Sequence, residues 1–166
     1  MFFRRSLYYI QFGALVVMPL WVFAGRALFG VYLGWHFLYQ CFIAPLAFLL
    51  LLAALLLTLA RPEVRRDRSV SRLDSILLRA AYLLGTTYGF FMIDAPVSGD
   101  RGSSVFTQLF GLDLNVLSYT VSNTVGPLAA VLVLAALWSA LKQLPQDVRG
   151  ELRDRVSGLL HPLHTR

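Results

Sequence analysis

Residues 32–60 read YLGWHFLYQCFIAPLAFLLLLAALLLTLA, a run of 29 positions without one Asp, Glu, Lys or Arg. A helix needs about 20 mainly apolar residues, at about 1.5 Å each, to cross roughly 30 Å of bilayer hydrocarbon. The run exceeds that length, which predicts either a tilted span or first turns near residues 30–34 lying at the interface. A soluble core cannot absorb it. Hydrophobic residues make up 57% of the 166 positions against 14% charged, and a chain this small buries that much apolar surface only with lipid as a second solvent.

Outward from this run, three more stretches pass the same length test, at about 7–24, 73–96 and 116–141. The predicted fold class is therefore all-α: a four-helix (tetraspan) membrane bundle over residues 1–144, followed by a tail over 145–166. Pro19, Pro45 and Pro127 fall inside spans one, two and four, where each removes a backbone donor and kinks its helix. The first span needs a check, because Arg4-Arg5 precede it and Val22-Phe23-Ala24 resembles a small-residue cleavage site. The run is long for a signal peptide. Arg4-Arg5-Ser6-Leu7 also resembles a twin-arginine export signal, but no soluble cargo follows, so a retained helix is expected.

Charge placement sets the orientation. Arg4, Arg5, Arg61, Arg65, Arg66, Arg68, Arg72, Lys142, Arg149, Arg153, Arg155 and Arg166 flank the spans on one side. Only Arg26 and Arg101 lie on the other, and Arg79 lies within span three. Basic residues concentrate on the cytoplasmic side of membrane proteins, so both termini are expected there. Tyr8, Tyr9 and Trp138 then mark the inner interface, and Trp21, Tyr32, Trp35 and Tyr119 the outer one. The same placement accounts for most of the net charge of +6 and argues against a nucleic-acid partner. Fourteen of the 15 basic residues are Arg, which points to a GC-rich bacterial genome and hence to the bacterial cytoplasmic membrane. Cys41 is the single cysteine, so the chain has no disulfide framework.

Outside the bilayer, residues 146–160 read as an amphipathic helix. Val148, Leu152, Val156, Leu159 and Leu163 share helical spacing opposite Arg149, Glu151 and Arg153. Such a helix either rests on the cytoplasmic membrane face, docks on a partner or simply ends the chain. The outer connection, residues 97–115, combines a polar loop with an apolar part, Val105-Phe106 and Leu109-Phe110, suited to dip into the interface or cover a partner.

Small residues recur at four-residue intervals as Ala81, Gly85 and Gly89 in span three and as Ser118, Ser122, Gly126 and Ala130 in span four. Rows of this kind let backbones approach closely, so they are expected to form two faces of one helix–helix seam. Polar residues within the membrane collect in the outer half: Arg26, His36, Gln40, Asp94, Ser122 and Asn123 are the ligand or proton candidates. Asp94 ends span three. It is commonly an interface carboxylate in water, and otherwise pairs with Arg26 or His36 or takes up a proton or cation. A haem with two histidine ligands would need a second intramembrane histidine, which the chain lacks. Arg79 reads as a snorkelling anchor, and Arg61, Arg65, Arg66, Arg68 and Arg72 as contacts to lipid headgroups or an acidic partner. His161 and His164 make a poor metal site without further ligands, and no metal is expected.

No phosphate loop, HExxH, GxSxG or cysteine pair is present, so no catalytic residue is assigned. The leading expectation is a non-enzymatic accessory or assembly subunit of a larger membrane complex, with membrane lipids and either a protein partner or a second copy of itself around it. A small oligomeric transporter or channel with a site around Asp94, His36 and Asn123 is the alternative. A membrane enzyme acting on a lipid-soluble substrate comes third. No cofactor is predicted, although a bound lipid or quinone beside His36 and Asp94 would accord with the third reading.

Overall fold

A computed structural model describes residues 2–31, 34–94, 102–146 and 148–150. Among them the chain is all-helical, with one isolated backbone bridge, between Asp94 and Ser103. Helix α1 (Phe2–Ala24) runs into a 3₁₀ turn (Gly25–Phe29); α2 (Trp35–Leu59), α3 (Pro62–Asp67) and α4 (Arg72–Phe91) follow. A short α5 (Val105–Phe110) and a 3₁₀ turn (Leu112–Leu114) lead into α6 (Asn115–Lys142). Three segments are long and apolar enough to cross a membrane: Phe3–Phe29, Trp35–Leu59 and Leu112–Lys142. Their outward faces suit hydrocarbon, with Phe42 80% and Val116 79% exposed.

Helix α4 differs. Its 20 residues reach about 30 Å, but Arg72, Asp74 and Arg79 make it less apolar than its neighbours. It also ends at Phe91, short of the expected 96, because the backbone at Met92 is extended and the chain doubles back. Asp94 and Ser103 then exchange both backbone hydrogen bonds, at 2.9 and 3.0 Å. The start is sharper: the Ser71 side chain accepts from the Asp74 N–H, and the negative charge of Asp74 suits a first turn. The tail helix over 146–160 is described only as far as Gly150, and Tyr32, Pro96 and Arg101 also lie outside the described residues.

Helices α1, α2, α6 and α4 pack in a ring, each against its two neighbours, and the diagonal pairs make little contact. The buried core gathers at the end of the ring that carries Arg61, around Leu7, Ala54, Val70, Leu78 and Ala136, with Tyr8 and Leu137 against it. The most extensive packing joins α4 to α6, as the two small-residue rows imply, but the rows are not one seam. A side chain at Gly85 would meet Met18, and one at Gly89 would meet the Trp21 indole 2.4 Å away, so these glycines admit α1. Trp21 is wedged between Gly25 and Gly89 and donates its indole N–H to the Thr86 carbonyl at 3.0 Å. Gly126 does serve the α4–α6 contact, where it accommodates the Tyr88 ring. Ser118 serves it too, by donating to the Phe91 carbonyl at 2.7 Å.

Candidate functional site

Two buried ion pairs close opposite ends of the ring. At one end Arg61, 3% exposed, meets Asp74 at 2.7 Å. Its second nitrogen donates to the Gln143 side chain at 2.6 Å, and Gln143 in turn donates to Ser139 at 2.8 Å and to Asp74 at 3.3 Å. The network ties the end of α2 to the start of α4 and the end of α6. The sequence reading placed Arg61 at lipid headgroups, and the structure corrects this: a carboxylate 13 positions along the chain captures it. Arg79 is corrected likewise. It donates to the Ser6 hydroxyl at 2.8 Å and to the Phe3 carbonyl, and lies over the Phe3 ring, so it binds the start of α1. Arg65, Arg66, Arg68 and Arg72 are exposed, as lipid or partner contact requires.

At the opposite end Arg26 meets Asp94 at 2.7 Å, with side chains only 1% and 0% exposed. The other Asp94 oxygen accepts the backbone N–H of His36 at 2.9 Å. Asp94 is therefore a structural clasp joining the turn after α1, the start of α2 and the end of α4. The commoner expectation, a carboxylate in water, fails because Asp94 is completely buried, its carboxylate held by Arg26 and by the His36 N–H. His36 contributes its backbone only. Its ring is outside the cluster, edge-on to Tyr39, so the acid–base pairing of His36 with Asp94 is not formed.

Between the two clasps lies a cavity of about 430 Å³ lined by all four long helices. It is ligand-sized: pockets for small molecules run from roughly 300 to 1,000 Å³. The walls are apolar, from Met18 and Val22 on α1, Leu50 and Leu51 on α2, Ala81 and Gly85 on α4, and Ala129 and Val133 on α6. Lining residues Ile43 and Leu46 on α2 and Asn123, Pro127 and Ala130 on α6 are exposed, which puts the mouth between these two helices. The opening has a cause. Helices α2 and α6 are joined at the Arg61 end through Gln143, whereas the start of α2 is drawn toward the end of α4 by Asp94 and by Gln40.

Apolar walls give water too few partners. Among the described lining residues, Tyr88, Ser122 and Asn123 gather toward the Arg26 end, and Tyr82, which packs against the core at the Arg61 end, is the other polar one. Behind Tyr88, Gln40 donates to its hydroxyl at 3.1 Å and to the Met92 sulfur at 3.2 Å.

The structure thus brings Arg26 and Asp94 into direct contact, Gln40 close behind them, and Ser122 and Asn123 onto the cavity wall. Tyr88, Trp21, Asp74 and Gln143 were missed. The spacing of Ser71 and Asp74 was a legible helix-start signal, and Tyr88 lies one turn before Met92, where both accept from Gln40 on α2. Gln143 carries no signal in sequence. No family model, curated protein or solved structure matches this chain.

Proposed function

We propose that the chain is a four-span protein of the bacterial cytoplasmic membrane, with both termini cytoplasmic, that holds one lipid-soluble molecule in its bundle as a non-enzymatic accessory subunit. The observation that carries this reading is the side-open apolar cavity, whose mouth between α2 and α6 would face the acyl chains of the bilayer. Twelve of the 15 basic residues flanking one side support the orientation. Helix α4 supports a fourth span by its length and by its place in the ring, with its three charged residues all in the eight positions nearest the Arg61 end. The residues that would touch a ligand are mostly aliphatic, and among the described residues no charged side chain lines the cavity, which favours holding over reacting. The transporter reading loses its centre, because Asp94 is buried against Arg26.

Native mass spectrometry of protein released from gentle detergent tests this. The wild type is expected to retain one lipid-soluble molecule, and Leu46→Trp, which fills the mouth, to lose most of it. Equal retention by both proteins would remove the cavity as the binding place. A different protein recovered in fixed ratio would support the accessory role, and a pure homo-oligomer would count against it.

A further inference from the structure

We infer that the cavity selects an uncharged lipid with a carbonyl oxygen in its head, held with that head at the Arg26 end and its chain toward Arg61. The inference rests on the proposed lipid-holding role and adds to it the chemistry of the head and the direction of the chain. Its basis is the side chain of Tyr88. The ring lies on Gly126, where a Cβ would come within 2.7 Å of it, and the hydroxyl oxygen accepts from Gln40 on α2. Tyr88 therefore crosses from α4 to α2 while touching α6, and forms a bar over the polar end of the cavity.

Hydrogen-bond accounting gives the head its character. The Tyr88 oxygen accepts from Gln40, which leaves the phenolic proton to donate to a ligand acceptor. Ser122 spends its proton on the Tyr119 carbonyl, and one Asn123 N–H goes to the same oxygen. Asn123 keeps a second N–H at the mouth. The donors on offer thus suit a carbonyl. Charge excludes the commonest phospholipid heads: among the described residues no Arg, Lys, His, Asp or Glu lines the cavity, and the nearby Arg26 is already neutralised by Asp94. Ligand carbonyls of this kind occur in lipid quinones and in acylglycerols. Toward the Arg61 end the described walls offer Leu50, Leu51 and Val133, with Tyr82 the single polar residue, so that end suits a chain.

The test compares wild type, Tyr88→Phe and Leu46→Trp in delipidated detergent micelles, with three probes: a decyl-substituted benzoquinone, dioctanoylglycerol and decylbenzene, which has no oxygen. Dissociation constants come from native mass spectrometry titrations, and each variant's melting temperature verifies its fold. Tyr88→Phe keeps the ring and removes the donor. It is expected to weaken both carbonyl probes about fivefold, the value of one neutral hydrogen bond, and to leave decylbenzene unchanged. The tighter of the two carbonyl probes on wild type identifies the source. If Leu46→Trp abolishes binding but Tyr88→Phe leaves the carbonyl probes unchanged, or weakens all three alike, head selection is overturned and the lipid-holding role stands. If no probe binds wild type, both fall.

Discussion

Asp94→Asn isolates the energetic weight of the clasp at the Arg26 end. The substitution keeps the side-chain oxygen that accepts from the His36 N–H, yet removes the negative charge 2.7 Å from a guanidinium that is 1% exposed. Breaking a buried pair from one side costs about 3–5 kcal/mol, because the remaining charge stays buried and uncompensated. Arg26 has little else to turn to: its Nε and Nη1 make no hydrogen bond, so the cost should fall toward the upper end of that range. Replacing both partners, as Arg26→Met with Asp94→Leu, removes the charges together and is expected to cost less than Asp94→Asn alone. The assay is reversible unfolding in mixed micelles with increasing denaturing detergent, run as a double-mutant cycle. A cost below about 1 kcal/mol for Asp94→Asn, or a double variant as unstable as the sum of its singles, would refute the clasp.

Three further outcomes follow from the same packing. Arg61→Ala is expected to lose about 3–5 kcal/mol in that unfolding assay, whereas Arg66→Ala, whose 3.5 Å pair with Asp67 is exposed, should change stability by less than about 0.5 kcal/mol. Gly89→Ala drives a methyl group into the Trp21 indole and should cost about 1–3 kcal/mol, visible as a lower melting temperature and a shift in tryptophan emission; an unchanged emission would show that Trp21 is not wedged there. Gly126→Ala presses on the Tyr88 ring and should weaken retention of the lipid-soluble molecule, measured by native mass spectrometry.

Hydrophobic length made the long apolar helices legible in the sequence, because it is a one-dimensional signal. The apolar runs at 7–24, 32–60 and 116–141 correspond to α1, α2 and α6 within a few residues at most ends. The end of α4 was misplaced because Met92, Ile93, Ala95 and Pro96 continue the apolar run in sequence while the helix gives way to extended backbone at Met92. Partner choice was harder to read. Asp94 was recognisable as a candidate, and Arg26 as one of its partners, but its complete burial and its backbone pairing with Ser103, nine positions away, follow no local pattern. Glycines show that a helix is approached closely without showing by which neighbour, so Gly85 and Gly89 were assigned to α6 although they admit Met18 and Trp21. The cavity was invisible for a related reason. It opens between α2 and α6, whose ends are held by contacts among Arg61, Gln143, Gln40 and Tyr88 that no local pattern encodes.

The most direct test of the four-span bundle is side-specific labelling of single cysteines in a Cys41→Ser background, with Arg66→Cys in α3 and Asp113→Cys between α5 and α6, both exposed. In intact cells or sealed vesicles a membrane-impermeant maleimide should reach Asp113→Cys from outside and Arg66→Cys only after the cytoplasmic face is opened. Labelling of both positions from the same side would mean that α4 does not cross, and would contradict the bundle on which the cavity and its occupant depend.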